Sequence, residues 1–256
     1  MNDMNLQGFA PEQLKAIRND LFNLKKSLSS QDQKLLEELA GFTMLPPSRL
    51  LDAYRSAEQA AKRHPNAAIV EFGVYRGGAL AAMSYGASLT GCFTGPVIGF
   101  DTFEGHTSAP LLHEVDLHGN LQRPIFDEKK SKEEAWADCD IKSVFDNFKV
   151  IMGELQRESP PPHLIKGDAC LTASQLENLC PNGISLLRLD MDWYEPTQAA
   201  LTAAYPLFRS NAILLVDDYG HHSGVKDAID MFLSNLNLSF DSSMTDYSCR
   251  RILFLS

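Results

Sequence analysis

Short apolar runs alternate with helix-length segments along most of this 256-residue chain, and that alternation most constrains its fold. A helix between two strands of one sheet makes those strands parallel, so repeated strand–helix units predict an open α/β sheet. Seven runs have the length and composition of strands: Ala67–Phe72, Val97–Asp101, Leu164–Lys166, Ile184–Asp190, Ala212–Val216, Ser239–Asp246 and Arg250–Leu255. Only a turn joins the last two runs, which predicts a terminal hairpin and a doubly wound, seven-stranded mixed sheet with one antiparallel strand.

Helical periodicity fills the intervals between these runs. We expect helices at Leu80–Ser88, Ile141–Leu155, Leu171–Leu179, Thr197–Phe208 and Val225–Leu233, preceded by N-terminal helices at Pro11–Leu28, from Ser30 to Glu38 and after Pro46. Ser30 and Gln33 have the spacing of a capping box. Residues 1–62 are therefore predicted to form a helical extension and residues 63–256 the main domain. Within that domain, residues from about 104 to 140 have mixed charge and no clear period, which predicts a lid or substrate-binding insertion.

Composition excludes several classes of protein. The formal charge of −10 argues against nucleic-acid binding, because phosphate backbones require a basic surface. The five cysteines are scattered without a CxxC pair, which indicates reduced thiols rather than disulfides or a zinc site. No apolar run approaches the ~20 residues of a membrane span, and the N-terminus lacks a signal-peptide pattern. We therefore expect a cytoplasmic protein with neither a membrane nor a nucleic acid as partner.

Carboxylates follow two neighbouring strands of the predicted sheet. Asp190 and Asp192 come at the end of one strand, and Asp217 and Asp218 directly follow the next. Ligands of open parallel sheets bind outside the carboxyl ends of the strands, where these four side chains would lie together. Their mutual repulsion would be strong without a cation or a proton, and a divalent ion held by oxygens is the simplest solution.

A glycine-containing turn with the pattern ExGxxxGG, from Glu71 to Gly78, follows the first predicted strand. Its glycines, Gly73 and Gly77, allow a sharp turn and close approach of a ligand, but the pattern differs from the GxGxxG of nicotinamide sites. Glu71 at a buried strand end needs a polar or charged partner, such as an α-amino group. Asp101, at the end of the second strand, can accept both hydroxyls of a ribose. Together the two acids indicate a nucleoside with an amino-acid tail, namely S-adenosylmethionine.

Asp168 follows the short third strand and has two interpretations of equal weight. In this sheet order it would lie beside the adenine, where its carboxylate can accept a hydrogen bond from the exocyclic amine. It is equally typical of a helix N-cap, for a helix that begins near Cys170. The residues alone leave both interpretations open.

Five segments resemble the macrocin O-methyltransferase family, in that family's order: Phe42–Met44, Glu71–Gly78, Phe100–Gly105, Leu186–Glu195 and Val216–Gly220. The resemblance spans roughly residues 40 to 235 and is more specific than any single motif. It implies the Rossmann-like class I methyltransferase fold. It also implies methylation, dependent on S-adenosylmethionine and Mg²⁺, of sugar or phenol hydroxyls on natural products, and homo-oligomers such as dimers. The expected partner is a small hydroxylated molecule, with a vicinal diol or a catechol suiting the open positions of a magnesium ion.

The resemblance further implies a role for each matched residue. Asp190, Asp217 and Asp218 match the metal ligands, and Asp192 lies close enough to serve as general base, although Asp190 and Asp192 could exchange roles. Both are therefore expected at the reaction centre. Cofactor contacts are expected from Met44, Glu71, Gly73, Tyr75, Arg76, Gly77, Asp101, Thr102, Asp168, Ala169 and Asp190.

Departures from the family pattern lie on the predicted acceptor side. Met191 stands where the family usually has a small residue, and Pro196 where it has Ser or Thr. His221 and His222 have no usual counterpart. Because a histidine pKa near ~6.5 suits proton transfer, His221 or His222 is an alternative catalytic base to Asp192, while a tandem pair beside a glycine turn is also typical of an exposed loop.

Two other functional classes remain open on the sequence. A NAD(P)-dependent oxidoreductase is disfavoured by the missing GxGxxG and by the lack of a Tyr-xxx-Lys pair near the active strands. A nonenzymatic cofactor-binding scaffold is disfavoured because a scaffold would gain nothing from four crowded aspartates.

Overall fold

A computed structural model of the chain describes residues 28–134, 136–236 and 238–255. Its strands are β1 (Ala68–Phe72), β2 (Val97–Asp101), β3 (His163–Lys166), β4 (Ile184–Leu189), β5 (Phe208–Val216), β6 (Ser239–Met244) and β7 (Arg250–Leu255). They form one sheet in the order β3-β2-β1-β4-β5-β7-β6. β1 to β5 pair in parallel, whereas β7 is antiparallel to both of its neighbours. The predicted doubly wound, seven-stranded mixed sheet is confirmed.

Helices cover both faces of the sheet. They are α1 (Ser30–Leu39), α2 (Pro47–Arg63), α3 (Gly78–Ser88), α4 (Gln122–Ser131), α5 (Ile141–Glu154), α6 (Ala169–Thr172), α7 (Leu176–Leu179), α8 (Tyr194–Ala204) and α9 (Ser223–Ser234), with 3₁₀ turns at Ala173–Gln175 and Tyr205–Leu207. Among the described residues, no helix is long and apolar enough to cross a membrane. Of the helix predicted at Pro11–Leu28, only Leu28 lies within the described residues.

Several predicted boundaries were wrong. The capping box of α1 uses Ser29 and Asp32 instead of Ser30 and Gln33, and contacts from Tyr54 and Arg55 in α2 hold Asp32 in place. The predicted helix Thr197–Phe208 begins at Tyr194 and ends at Ala204, since β5 takes Phe208 as its first residue. The predicted helix Leu171–Leu179 is two short helices separated by a 3₁₀ turn. The aperiodic insertion contains one regular element, α4.

Alternate residues of each strand pack on opposite faces of the sheet. On β1, Val70 and Phe72 belong to the buried cluster under α8 and α9, whereas Ile69 belongs to the cluster under α2 and α3. The same period places Glu71 on the α2 face. Its direct partner on the neighbouring strand β4 is Arg188, so one acidic and one basic residue lie side by side within an otherwise apolar layer.

The N-terminal helices share the core of the main domain. Leu35 and Leu39 of α1 and Leu51 of α2 are fully or almost fully buried, in one cluster with residues of α3 and α5. α2 also packs extensively against α3 and lies over β4 and β5. This packing brings the first turn of α2 to the carboxyl ends of the central strands.

Candidate active site

One cavity of about 590 Å³ opens at the carboxyl ends of the parallel strands. Its walls come from the turns after β1 to β5, from the first turn of α2 and from the insertion between β2 and α4. Its volume lies within the range of small-molecule sites. The strand order reverses between β1 and β4, and this switch point is where ligands of doubly wound sheets bind.

Most of the predicted site residues line this cavity. They are Met44, Gly73, Tyr75, Asp101, Thr102, Asp168, Ala169, Asp190, Asp192, Asp217, Asp218, His221 and His222. Met191 and Pro196, which depart from the family pattern, line it as well. Glu71, Arg76 and Gly77 do not line the cavity. Arg76 is exposed, and its guanidinium donates to the carbonyl of Gly41 at 3.2 Å.

The carboxylate at the end of β2 closes the turn after β1. Asp101 Oδ2 accepts hydrogen bonds from the amides of Val74 and Tyr75, at 2.7 and 2.9 Å. Its Oδ1 accepts one from the amide of Phe103 at 2.7 Å. Tyr75 has a φ of 51°, which a side chain of its size rarely adopts. The turn is therefore held by the side chain of Asp101, which accepts from two of its backbone amides.

Gly73 joins this turn to the acidic residues. It has a φ of 84°, and a Cβ placed on it would lie 1.8 Å from the backbone oxygen of Asp190. Only glycine permits the end of β4 to approach β1 so closely. We call Gly73–Gly77 with Asp101 and Asp168 the glycine-turn half of the cavity.

Asp168 is the N-cap of α6. Its Oδ1 accepts from the amide of Cys170 at 2.8 Å, and its Oδ2 accepts from the hydroxyls of Ser108 and Thr107 in the insertion. Asp168 also lines the cavity. The N-cap interpretation is confirmed, and the contact with an adenine stays a prediction.

The four aspartates lie together as predicted, and two of them, Asp190 and Asp217, are paired with buried arginines. Both oxygens of Asp217 are ion-paired, with Arg49 Nη1 at 2.5 Å and with Arg188 Nη2 at 3.0 Å. Arg188 Nη2 also binds Asp190 Oδ2 at 3.0 Å. We call Asp190, Asp192, Asp217 and Asp218, with Arg49 and Arg188, the acidic half. The argument that repulsion requires a divalent cation was therefore incomplete, since two guanidinium groups already offset part of the negative charge.

Arg188 is a lone basic residue in the apolar run of β4, and it has three acidic partners in the structure. Besides the two aspartates, its Nη1 donates to Glu71 Oε1 at 2.7 Å. Glu71 is fully buried, and its Oε2 has no hydrogen-bond partner among the described residues. Burial raises the pKa of Glu71 to about 8 despite the neighbouring Arg188. Glu71 thus supports the site from beneath through Arg188.

Arg49 was missed by the sequence analysis. It lies in the first turn of α2, is 7% exposed, and pairs with Asp246 at 2.6 Å as well as with Asp217. Because Asp246 precedes β7, Arg49 connects the N-terminal helices, the centre of the sheet and the terminal hairpin. In the sequence it is one basic residue of a helix with several, and nothing local distinguishes it.

Asp190 and Asp218 have carboxyl groups whose ionised forms are disfavoured. Burial and the charge of Asp217 raise the pKa of Asp190 to about 7. Burial and the charges of Asp217 and Asp192 raise the pKa of Asp218 well above its usual range. Extra positive charge at this place would favour both carboxylates.

Asp192 has a different environment because the insertion supplies it with a histidine. His106 Nε2 lies 3.0 Å from Asp192 Oδ2. Although burial opposes ionisation, this hydrogen bond and the charge of His106 lower the pKa of Asp192 well below its usual range. Asp192 has a φ of 64°, a conformation that aspartate tolerates better than most residues and that turns its carboxylate away from the strand direction. The sequence analysis missed His106, which stands in an aperiodic segment.

Aromatic rings surround the acidic half. Trp193 follows Asp192 and lies at 5.1 Å from His106, 5.4 Å from His222 and 5.8 Å from Trp136, measured between ring centroids. The ammonium of Lys129 lies 4.2 Å from the centre of the Trp136 ring. All of these side chains line the cavity, so one of its walls is rich in aromatic rings beside the carboxylates.

The insertion is anchored at several points. Glu114 is buried and accepts from the amides of Leu111 and Tyr194 at 2.8 and 3.3 Å. Val115 and Ser223 exchange two hydrogen bonds of 2.9 Å at the start of α9. These contacts hold the insertion over the cavity, and its predicted role as a movable lid stays a prediction.

His221 and His222 lie in the turn after β5. Burial lowers the pKa of His221 to about 4 and lowers that of His222 as well. His222 is 9% exposed, so the interpretation of the pair as an exposed loop was wrong for this residue. Two overlapping groups of possible metal ligands lie within 4.8 Å: Asp190 with Asp217 and Asp218, and Asp192 with Asp218 and His222.

Comparison with known proteins points to one enzyme family. The family model described as macrocin-O-methyltransferase (TylF) matches residues 1–251. No curated protein sequence matches the chain at a significant level.

Solved structures share the fold at low sequence identity. The O-methyltransferase NovP has a TM-score of 0.66 at 22% identity, over 84% of this chain and 83% of that one. CalS11, a calicheamicin methyltransferase, has a TM-score of 0.62 at 19% identity, over 99% of this chain and 97% of its own. An O-methyltransferase from Bacillus cereus, whose structure contains SAH, has a TM-score of 0.52 at 11% identity, over 90% and 92% of the two chains.

Proposed function

The chain belongs to the macrocin O-methyltransferase family, and from that premise we propose that it methylates a hydroxyl of a small natural product with S-adenosylmethionine and a divalent cation. Family membership makes the protein an O-methyltransferase and sets aside the oxidoreductase and scaffold alternatives. One observation carries the finer proposal: the glycine-turn half and the acidic half line the same cavity, with Gly73 in contact with Asp190.

The glycine-turn half fits a nucleoside cofactor. When bound, S-adenosylmethionine supplies a methyl group on a sulfonium centre, and the neutral thioether of S-adenosylhomocysteine is a good leaving group. Asp101 accepts three amide hydrogen bonds, and the Thr102 hydroxyl, which lies 3.4 Å from Oδ1, has a shorter contact of 2.5 Å with the Gly105 carbonyl, so a ribose hydroxyl is proposed to take the remaining acceptor site on Oδ1. Met44, Thr102, Asp168 and Ala169 line the same region and are proposed contacts. Glu71 is proposed to act through Arg188 rather than by direct contact.

The acidic half fits a divalent cation, because its donors are carboxylate oxygens within 4.8 Å of one another. We propose Mg²⁺ with Asp190, Asp217 and Asp218, as the family resemblance implies. The ion supplies Lewis acidity that lowers the pKa of a bound hydroxyl. Arg49 and Arg188 hold Asp190 and Asp217 in position, since Arg49 bonds to two acids and Arg188 to three.

The Asp192–His106 pair is the proposed proton acceptor. A hydroxyl that attacks the methyl carbon must lose its proton, and a positioned histidine or carboxylate contributes typically 10²–10⁴-fold to such a step. With Nε2 of His106 donating to Asp192, the other ring nitrogen is free to accept. His221 and His222 remain alternatives, although burial disfavours their charged forms.

The proposed acceptor is a flat or ring-shaped molecule with neighbouring hydroxyls. Trp136, which is partly exposed, provides an apolar ring of the kind that packs against sugar or phenol rings, and the buried Trp193 packs edge-on against it beside the carboxylates. CalS11 is described as a TDP-rhamnose 3'-O-methyltransferase, which supports a sugar as one candidate class.

A turnover assay with a panel of acceptors tests this proposal. The EDTA-treated chain is incubated with S-adenosylmethionine and either sugars with vicinal diols or catechols, with and without Mg²⁺, and S-adenosylhomocysteine is measured. We expect product only when both an acceptor and a divalent ion are present. Equal turnover with and without EDTA treatment would contradict the proposed cation requirement. Failure of the chain to bind S-adenosylhomocysteine would contradict the proposed cofactor.

A further inference from the structure

One arginine and one lysine among the described residues line the cavity, and they differ in their partners. Arg49 is buried and pairs with Asp217 and Asp246, at 2.5 and 2.6 Å. Lys129 of α4 is partly exposed, and within the described part of the chain its ammonium forms neither an ion pair nor a hydrogen bond. Lys129 therefore brings to the cavity a positive charge that no described carboxylate binds directly.

The end of α4 explains why Lys129 has no acidic partner. Two other pairs of charged residues four apart in this segment form salt bridges, Arg123–Asp127 and Glu128–Lys132. The acid four residues after Lys129 is Glu133, which lies beyond the end of the helix and has a φ of 52°. It therefore lacks the helical spacing that lets such side chains meet. Three further acids line a recess of about 60 Å³ beside Lys129 without forming an ion pair with it: Glu104, Glu134 and Asp138.

Lys129 lies against the aromatic wall of the cavity. Its Nζ is 4.2 Å from the centre of the ring of Trp136, which is partly exposed. The ring centroid of His106 is 4.9 Å from the same indole, and its Nε2 is 3.0 Å from Asp192 Oδ2. Because both side chains contact one ring, an acceptor that packs on Trp136 and presents its hydroxyl to His106 lies within reach of the Lys129 ammonium.

The charge of the surroundings makes this ammonium informative. The chain has a formal charge of −10, and four carboxylates lie in the acidic half, so a negatively charged acceptor would be repelled unless a cation met it. An ammonium has three donors, and its contact with an aromatic face leaves N–H groups for the oxygens of a ligand. A single ammonium offsets the one charge of a carboxylate, whereas a phosphate carries about −2 at neutral pH.

We propose that Lys129 binds a carboxylate of the acceptor, so that the natural substrate is a hydroxylated acid rather than an uncharged molecule. The inference rests on the O-methylation proposed above and names the class of acceptor for that same site. The ring of the acceptor packs on Trp136 and its carboxylate accepts from the Lys129 ammonium, while its hydroxyl faces the proposed proton acceptor. Lys129 is thus a specificity-determining residue, and the cofactor and cation sites stay as proposed.

Matched acids and amides isolate the effect of the charge. Protocatechuate and glucuronate are compared with their amides, which keep the ring and the hydroxyls but lack the charge. Each compound is titrated calorimetrically into the chain in the presence of S-adenosylhomocysteine and Mg²⁺, a mixture that does not turn over. Lys129→Gln removes the charge and Lys129→Arg keeps it. Lys130→Gln is the control, because Lys130 is the next residue of α4, contacts Phe126 and does not line the main cavity.

We expect the wild-type chain to bind each acid about fivefold more tightly than its amide, the upper range for an ion pair of a partly exposed lysine. Lys129→Gln should reduce this ratio to about one or below, because the acidic half still repels a carboxylate. Lys129→Arg and Lys130→Gln should keep the ratio. A variant that only disturbed the packing of Trp136 would weaken acid and amide alike, so the ratio separates a role of the charge from a role in packing.

Two failures are distinguishable. A ratio of about one or less in the wild-type chain, a ratio that Lys129→Gln leaves unchanged, or an equal loss in Lys130→Gln would overturn the inference, while the proposed O-methylation stands. Binding of none of the four compounds would contradict the acceptor proposed above, and the inference would fail with it.

Discussion

The two halves of the cavity differ in the sequence separation of the residues that bond to one another. In the glycine-turn half, Asp101 bonds to the amides of Val74 and Tyr75, 27 and 26 residues away. In the acidic half, Arg49 reaches Asp217 across 168 residues and Asp246 across 197. Apart from Asp168, which follows β3, the first half is a local unit of one strand–helix–strand segment. The second exists only once α2, the insertion and the terminal hairpin have packed together.

The two halves are therefore stabilised by different kinds of interaction. The glycine-turn half is held by hydrogen bonds from backbone amides to the carboxylates of Asp101 and Asp168. The acidic half is held by buried charges that must be paired, and removing one partner leaves the others uncompensated. Variants of the acidic half should therefore affect stability first, whereas variants of the glycine-turn half should affect binding first.

The largest effect is expected from Arg188→Met, which removes the shared partner of Glu71, Asp190 and Asp217. Breaking a buried ion pair costs about 3–5 kcal/mol, since the remaining charges stay buried. Urea denaturation measures the loss in the free energy of unfolding. Arg251→Met is the matched control: it lies on β7, two strands away from β4 in the sheet, is partly exposed, and should cost about 1 kcal/mol or less. Equal losses for both variants would show that the buried pairing of Arg188 contributes no more to stability than a partly exposed ion pair does.

Gly73→Ala tests the contact that joins the halves. The added Cβ lies 1.8 Å from the Asp190 backbone oxygen, so the ends of β1 and β4 must separate at a cost of about 3 kcal/mol, the upper end for overpacking. Gly41→Ala is a close control, because Gly41 has a φ of 91° but open space around it. Unfolding free energies that match in the two variants would show that the close approach is unimportant.

His106→Ala should lower kcat about 10²-fold, the lower range for losing a proton acceptor, without changing the affinity for S-adenosylhomocysteine. The control is His113→Ala, an exposed histidine of the same insertion. Turnover assays and calorimetry give the two quantities. A loss of cofactor affinity equal to the loss of kcat would mean that His106 maintains the whole site rather than the acidic half.

Lys129→Ala should have the smallest effect. Its ammonium lies over the Trp136 ring, and an exposed cation–π contact contributes about 0.5–1 kcal/mol. We expect the KM of the acceptor to rise about two- to fivefold, with kcat nearly unchanged. Lys130→Ala, which removes a charge that contacts Phe126 instead, should leave the KM as it is. A larger effect of Lys130→Ala would place the acceptor elsewhere.

The sequence predicts the glycine-turn half well because its signals are local. Gly73 and Gly77 mark a turn between a strand and a helix, and Asp101 ends the next strand. The four aspartates were also predictable, since the carboxyl ends of parallel strands meet at one edge. The ion pairs of these aspartates were less predictable, because they depend on which arginines, distant in sequence, pack beside them in the fold.

Arg49 and His106 show why the rest could not be predicted. The position of Arg49 is determined by helix packing, because α2 packs over the sheet and places this arginine beside Asp217, which is far away in the sequence. His106 lies in a segment without periodicity, where neither the backbone nor the neighbours can be inferred. The shift of the first capping box has the same origin, because Asp32 is held by Tyr54 and Arg55 of another helix.

Calorimetric titration with S-adenosylhomocysteine tests the division of the cavity most directly, because it requires no acceptor. Asp101→Asn removes a charge from the glycine-turn half, and Asp218→Asn removes one from the acidic half. We predict that Asp101→Asn weakens binding at least about tenfold, as expected for losing a charge-assisted hydrogen bond, whereas Asp218→Asn binds as the wild-type chain does. Equal weakening in both variants, or weakening in Asp218→Asn alone, would contradict the account.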